Sequence, residues 1–158
     1  MTEIRRICDE DSESEQAVEL WDRSCREDPN GGPLSPQGRR NLKRMLAMMA
    51  WHRESFCLVA VESDERIVGF VCGHIESGDG LLPGAVGELN EMYVVPEAPD
   101  ADVLWRRLVE AAVAKLRNDG ADWTIQSTSD VQDCDRRNLL ESLGFQADMV
   151  TMSLYHEE

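Results

Sequence analysis

Residues 86–108, VGELNEMYVVPEAPDADVLWRRL, decide the fold because they lead from a strand through a short turn into a helix. The first ten residues favour a strand, which Pro96 ends, and Leu104 and Leu108 share one side of the helix that follows. A second strand is predicted at 121–129, ADWTIQSTS. A strand, a helix and a strand in this order indicate a parallel crossover.

The rest of the chain adds strands and helices around this unit. The first helix is predicted from the capping-box spacing of Ser12 and Glu15, and the second from Ser35 as N-cap with Pro36 at the first helical position. A late helix is expected to end at Gly144. The further strands are predicted at 3–8, 55–63, 67–77 and 148–155, the middle two forming a hairpin.

The resulting order is β-α-α-β-β-β-α-β-α-β, with no internal repeat and no linker. It predicts a mixed α/β (α+β) fold in which a mostly antiparallel central sheet contains one parallel crossover and carries flanking helices. A length of 158 residues fits a single domain over 1–158.

Composition and charge exclude several partners. The 31 acidic residues against 16 lysines and arginines give a net charge of −15, which repels nucleic acid and anionic membranes and attracts cations. No apolar run approaches the length of a membrane span, and the polar N-terminus is unlike a signal peptide. The sequence therefore predicts a cytoplasmic protein without nucleic-acid or membrane partners.

The five cysteines do not indicate a disulfide framework or a structural metal site. None forms a CxxC pair, and none lies at zinc-site spacing from a histidine. Cys57 and Cys72 fall in apolar strands, where buried free thiols are common.

His74 lies between apolar strand residues and is interpreted as a packed or hydrogen-bonded histidine in preference to a catalytic one.

Four stretches together resemble the GNAT superfamily of acyl-CoA-dependent N-acetyltransferases. They are similar to the family's central hairpin, the strand entering its cofactor loop, the helix after that loop, and a late helix with a Leu-Gly-Phe signature. In this chain they read RIVGFVCGHIE (66–76), GELNEMYVVPE (87–97), LVEAAVAKLRNDGAD (108–122) and LLESLGFQ (139–146).

The resemblance implies acetyl-CoA as cofactor and assigns roles along the strand and the helix. Glu88 lies where many members have the catalytic base, with an exposed strand carboxylate as the alternative interpretation. The backbone N–H groups of Met92 and Val94 would meet the acyl and pantetheine groups, and Arg106 and Arg107 could supply positive charge to the phosphates.

Alternation along this strand predicts which side chains share a face. It places Glu88, Asn90 and Met92 on one face, and Glu91 and Tyr93 on the other.

The cofactor loop departs from the family pattern at its most informative positions. Pro99 stands where a basic residue is usual, Asp100 and Asp102 stand where glycines are usual, and Leu104 replaces a small residue. A carboxylate at a helix N-cap accepts the first N–H groups of the helix and repels phosphate. The loop is therefore interpreted as a self-capped turn. The alternative is a loop that holds CoA with its carboxylates turned to solvent and Arg106 or Arg107 supplying charge.

The late helix also departs from the family pattern, because Leu140 stands where many members have a tyrosine acid, and Asp133 stands where an asparagine is frequent.

Two classes of function follow. The first is N-acetyl transfer from acetyl-CoA to a cationic amine of a small molecule or peptide. The alternative is a GNAT-fold protein without acetyl-CoA binding, serving as a binding module or as a CoA-independent enzyme. The resemblance also suggests a homodimer through an edge strand.

Overall fold

A computed structural model describes residues 2–29, 31–76, 84–126 and 134–147. The described segments contain strands and helices in the predicted order, while the predicted strand at 148–155 lies outside them. They are β1 Glu3–Arg6, α1 Asp11–Glu27, α2 Pro36–Met49, β2 Ser55–Val61, β3 Ile67–Glu76, β4 Val86–Val94, α3 Ala101–Asn118, β5 Trp123–Gln126 and α4 Cys134–Ser142.

The chain forms two compact units, residues 1–127 and 128–158. The first contains the whole described sheet with α1, α2 and α3. The second contains α4, after which Gly144 adopts a φ of 92°, the left-handed conformation expected of a glycine that ends a helix. No helix in the described segments is long and apolar enough to cross a membrane. The single domain over 1–158 stays a prediction.

The sheet has the order β1-β2-β3-β4-β5 and is antiparallel except for its last pair. β4 and β5 run parallel, with Val86 opposite Trp123 and Leu89 opposite Gln126. The mixed α/β fold, the hairpin and the parallel crossover are thereby confirmed. The family resemblance also predicts that β4 and β5 diverge beyond Val94, and the β5 residues that this concerns lie outside the described segments.

Helices cover both faces of the sheet. On one face, α1 and α2 bury an apolar cluster in which Trp21 stacks on Phe70 with the ring centroids 5.0 Å apart. On the other face, α3 comes so close to β4 that a Cβ built on Gly87 would lie 2.9 Å from a methyl carbon of Leu116. Gly87 therefore sets the spacing between α3 and the sheet.

The two early helices begin in different ways. Ser35 caps α2 as predicted, since its Oγ accepts the N–H of Gly38 at 3.0 Å. The predicted capping box of α1 is wrong, because α1 begins two residues earlier, after Glu10, which makes no side-chain cap within the described segments. Glu13 instead turns inward and accepts hydrogen bonds from the Arg5 guanidinium and the Cys8 N–H.

A buried carboxylate fixes the connection between α1 and α2. Asp22 accepts the N–H of Leu34 at 2.6 Å, and its side chain is only 3% exposed. It also pairs with Arg26 at 2.6 Å and Arg39 at 3.3 Å. The Leu34 N–H, followed by the two guanidinium groups, lowers the pKa of Asp22. Ionised Asp22 therefore joins the loop to both helices.

We expect Asp22→Asn to lower the thermal midpoint at pH 7, because the amide keeps an acceptor for Leu34 and loses both ion pairs. A lowered pKa means that the carboxylate stabilises the fold above its unfolded pKa of about 3.9 and stops doing so as pH falls through the folded value. Thermal unfolding by circular dichroism should therefore show a difference from wild type that is constant from pH 7 to about pH 4 and shrinks as the pH falls further.

Glu19→Gln is the control, because Glu19 is an exposed partner of the same Arg39 and exposed pairs contribute little. Equal effects of the two variants at pH 7 would contradict the anchoring role of Asp22.

Gly73 lets β3 lie close to β4 and to a core ring. A Cβ on Gly73 would lie 2.8 Å from the Glu88 carbonyl oxygen and 2.8 Å from the Phe56 ring. We expect Gly73→Ala to reduce the free energy of unfolding by about 1–3 kcal/mol in urea titrations, as overpacking does. Gly32→Ala is the control, because nothing lies within 4 Å of its added carbon. A neutral Gly73→Ala would show that β4 can move away.

Candidate active site

A polar row crosses one end of the sheet on the face that α1 and α2 cover. Ser55 lies directly opposite His74, and His74 lies directly opposite Glu88. Residues directly opposite in neighbouring strands point to the same side, so these three side chains form one line. Further along the same face, Cys57 and Cys72 are buried in the apolar cluster. The row therefore forms the polar end of a hydrophobic face.

His74 is oriented by Asn90. Its Nδ1 lies 2.8 Å from Asn90 Oδ1, and because that oxygen only accepts, Nδ1 carries the hydrogen. In the neutral ring Nε2 then carries the free lone pair. The Nε2 atom lies 3.7 Å from Glu76 Oε1 and 3.8 Å from Glu88 Oε2. The interpretation of His74 as a hydrogen-bonded residue holds, and the structure also brings it against the predicted base. These three residues could hold a metal ion.

Strand β4 contains an extra residue next to this row. Gly73 lies opposite Leu89, and Val71 lies opposite Met92, so three steps along β4 match two along β3. This is a β-bulge at Asn90 and Glu91.

The bulge changes which side chains share a face. Tyr93 belongs to the apolar cluster under α1 and α2, and therefore shares the face of Glu88 and Asn90. Met92 lies opposite Val71 and points to the α3 face. The predicted grouping of Met92 with Glu88 and Asn90, against Tyr93, is wrong because strict alternation assumes a strand without a bulge.

The register also sets the direction of the backbone donors in β4. Val95 donates its N–H to the Val68 carbonyl at 3.0 Å. Hydrogen-bonded and non-hydrogen-bonded pairs alternate along an antiparallel ladder, so the N–H groups of Met92 and Val94 point away from β3. They point to the side of β4 on which β5 pairs, and the described part of β5 ends opposite Leu89.

The turn before α3 does not have the predicted cap. Asp100 is the N-cap residue, but it is left-handed at φ 55° and ψ 45°, and within the described segments its side chain makes no capping hydrogen bond. A capping side chain normally needs an extended backbone to reach the N–H groups of the first turn. The predicted self-capping by Asp100 is therefore wrong. Asp102 lies within the first turn of α3.

The two arginines of α3 have different surroundings. Arg107 donates from Nη2 to the Thr2 carbonyl at 3.1 Å and therefore points toward the start of the chain. Arg106 is half-buried. The cofactor-binding roles of Met92, Val94, Arg106 and Arg107 stay predictions.

A polar chain that the sequence does not indicate connects α1 to the turn before α3. Tyr93 donates to Glu27 at 2.8 Å, and Arg23 pairs with Glu27 at 2.8 Å and with Glu97 at 2.7 Å. Burial, followed by the hydrogen bond to Glu27, raises the pKa of Tyr93 well above its usual value. No local motif links these residues, since they lie far apart in the sequence.

The sequence model of the acetyltransferase (GNAT) family matches residues 10–145. The chain therefore belongs to the GNAT family of acetyltransferases. No curated protein matches it significantly.

Solved structures have the same fold at low sequence identity. A transcriptional regulator from Bacillus halodurans C-125 aligns with a TM-score of 0.77 and 18% identity, covering 99% of this chain and 100% of its own. Glucosamine-6-phosphate N-acetyltransferase from Arabidopsis thaliana aligns at 0.74 and 16%, covering 99% of both chains. An aminoglycoside N-acetyltransferase in complex with CoA aligns at 0.72 and 16%, covering 99% of this chain and 95% of its own.

We expect the double variant Asp100→Gly/Asp102→Gly to bind acetyl-CoA more tightly than wild type by calorimetry at low salt. A carboxylate about 5 Å from a phosphate costs roughly 3 kcal/mol at an effective dielectric of about 20, and salt reduces this. The thermal midpoint should not fall through loss of an Asp100 cap, because that cap is absent from the described contacts.

Glu110→Gln on the same helix is the control for removing charge, and its CoA affinity should match that of wild type. An unchanged affinity in the double variant would show that the two carboxylates do not face the phosphates.

Proposed function

We propose that this chain transfers an acetyl group from acetyl-CoA to a cationic amine of a small molecule or peptide. The observation that carries the proposal is the position of Glu88. Its carboxylate is 28% exposed, faces His74, and lies on β4 just before the bulge that precedes Met92 and Val94. A base and two outward backbone donors are thus supplied by one strand.

The charge around this strand suits a cationic acceptor. The sequence has no lysine or arginine between Arg66 and Arg106, a span that includes all of β3 and β4. Glu76 and Glu88 therefore offer negative charge that an ammonium group can approach. Two of the similar structures are named as acetyltransferases of an aminoglycoside and of glucosamine-6-phosphate, and both names denote amine acceptors.

The residues around the turn fit acetyl-CoA better than the sequence alone indicates. Asp100 adopts a left-handed conformation of the kind that glycine adopts readily, and its side chain does not cap α3. The first N–H groups of α3 are therefore not bound by Asp100, and they would face a pyrophosphate there. The Val94 N–H would hold an amide of pantetheine.

The chemistry assigns one step to each group of the strand. Glu88 takes the proton of the acceptor ammonium, which frees the amine lone pair for attack. The Met92 N–H donates to the thioester oxygen and stabilises the negative charge that develops on it. When bound, acetyl-CoA would supply the activated acyl group, with the CoA thiolate as the leaving group and water as the source of its proton. Tyr93 does not replace the tyrosine acid that is absent at Leu140, because its hydroxyl donates to Glu27.

A non-catalytic binding module is the second candidate. It is favoured by Pro99 and Leu140, which cannot supply the phosphate contact and the proton that those positions supply in the family. A CoA-independent enzyme on the same fold would share these substitutions. Acetyl-CoA titration separates both from an acetyltransferase, since neither requires the cofactor to bind.

We expect Glu88→Gln to lower turnover about 10²–10⁴-fold near neutral pH, which is the usual contribution of a general base. Mass spectrometry should follow the acetylated product from acetyl-CoA and a panel of aminoglycosides, amino sugars and cationic peptides. Glu110→Gln, with the same change in charge, should keep the wild-type rate.

The variant should retain the wild-type circular dichroism spectrum. Unchanged turnover in Glu88→Gln would exclude Glu88 as the base. Wild-type protein that neither binds acetyl-CoA nor acetylates any of the panel would favour the alternative without acetyl-CoA binding.

A further inference from the structure

We infer that His74, Glu76 and Glu88 bind one divalent transition-metal ion of the zinc type. The three residues come from the end of β3 and the start of β4, and they lie outside any cysteine or histidine motif of the sequence. One ligand atom from each lies within 4.8 Å of the others.

The distances are close to those of a coordinated ion. Zinc binds histidine nitrogen and carboxylate oxygen at about 2.1 Å, so two ligand atoms of a tetrahedral site lie about 3.4 Å apart. His74 Nε2 is 3.7 Å from Glu76 Oε1 and 3.8 Å from Glu88 Oε2. The third pair, between Glu76 and Glu88, lies within 4.8 Å, and a movement of the exposed Glu76 side chain would bring the set together. Three protein ligands leave a fourth position for water.

The histidine is oriented as a metal ligand needs to be. Asn90 Oδ1 accepts the hydrogen of His74 Nδ1, with 2.8 Å between the two heavy atoms, and this contact directs the Nε2 lone pair at the two carboxylates. Metal-binding histidines commonly donate their second ring N–H to an oxygen in this way, and the contact fixes both the tautomer and the ring. Without a cation, the Nε2 lone pair faces two negative groups.

The strands β3 and β4 provide no lysine or arginine to balance the negative charge of Glu76 and Glu88. In the described segments, the ion pairs of Glu76 and Glu88 are both made with His74. The sequence between Arg66 and Arg106 contains no lysine or arginine. A bound divalent ion would balance this negative charge.

A bound ion would also regulate the proposed enzyme. It would occupy the carboxylate of Glu88 and exclude both the proton and the acceptor ammonium from it. The ion would therefore inhibit acetyl transfer, and a chelator would restore it. This inhibition rests on the proposed function, whereas the metal binding does not.

Calorimetric titration with Zn²⁺ tests the site in the full chain. We expect one tight site in wild type and a loss of at least tenfold in affinity in His74→Ala/Glu76→Gln. The matched control is His52→Ala/Glu54→Gln, which removes the same two residue types at the same spacing elsewhere in the sequence. It should keep the tight site, so that diffuse binding to an acidic protein is distinguished from a defined one.

Asn90→Ala gives a second, independent readout. It removes no proposed ligand and no charge, yet it should weaken Zn²⁺ binding about 10–100-fold, as loss of a supporting hydrogen bond does. Equal Zn²⁺ affinity in the two double variants, or no site in wild type, would overturn the proposal. Tight binding without inhibition would keep the metal site and count against Glu88 as the base.

Discussion

The pairing of β4 with β3, which includes one extra residue at Asn90 and Glu91, is the constraint on which the site depends. Before the bulge, β4 aligns Glu88 with His74. After it, the chain has gained one residue, so Tyr93 shares the face of Glu88 and Met92 turns to α3. A strand without the bulge would place a methionine in the polar row and a tyrosine under α3.

The same strand connects the two ends of the site. Tyr93 enters the core under α1, and its hydroxyl reaches Glu27, which Arg23 joins to Glu97 in the turn before α3. The buried Tyr93 fixes one end of this series of polar contacts, whereas its ion pairs are exposed and individually weak. The position of the turn therefore depends more on the packing of Tyr93 than on the surface charges.

Local sequence patterns predicted the helices and strands, whereas the bulge in β4 and the backbone of the turn before α3 depend on contacts between distant parts of the sequence. The β2–β3 hairpin and the crossover through α3 were predictable because apolar periodicity and breakers are local signals. The bulge was not, since Asn90 and Glu91 carry no glycine or other mark of an extra residue. Asp100 was expected to cap α3 because its residue type suits a cap, but its left-handed backbone is set by the turn.

The candidate site shows the same division. Glu88 was predicted as the base from the family resemblance, while its contact with His74 came from the strand register alone, because fourteen positions separate the two residues in the sequence. Two carboxylates that face one histidine, in a span without lysine or arginine, attract small cations. A proton, a substrate ammonium and a divalent metal ion can each neutralise the carboxylate of Glu88, and only one can occupy it at a time. Under the proposed function, the cation that occupies Glu88 would therefore determine whether the proposed base is free to act.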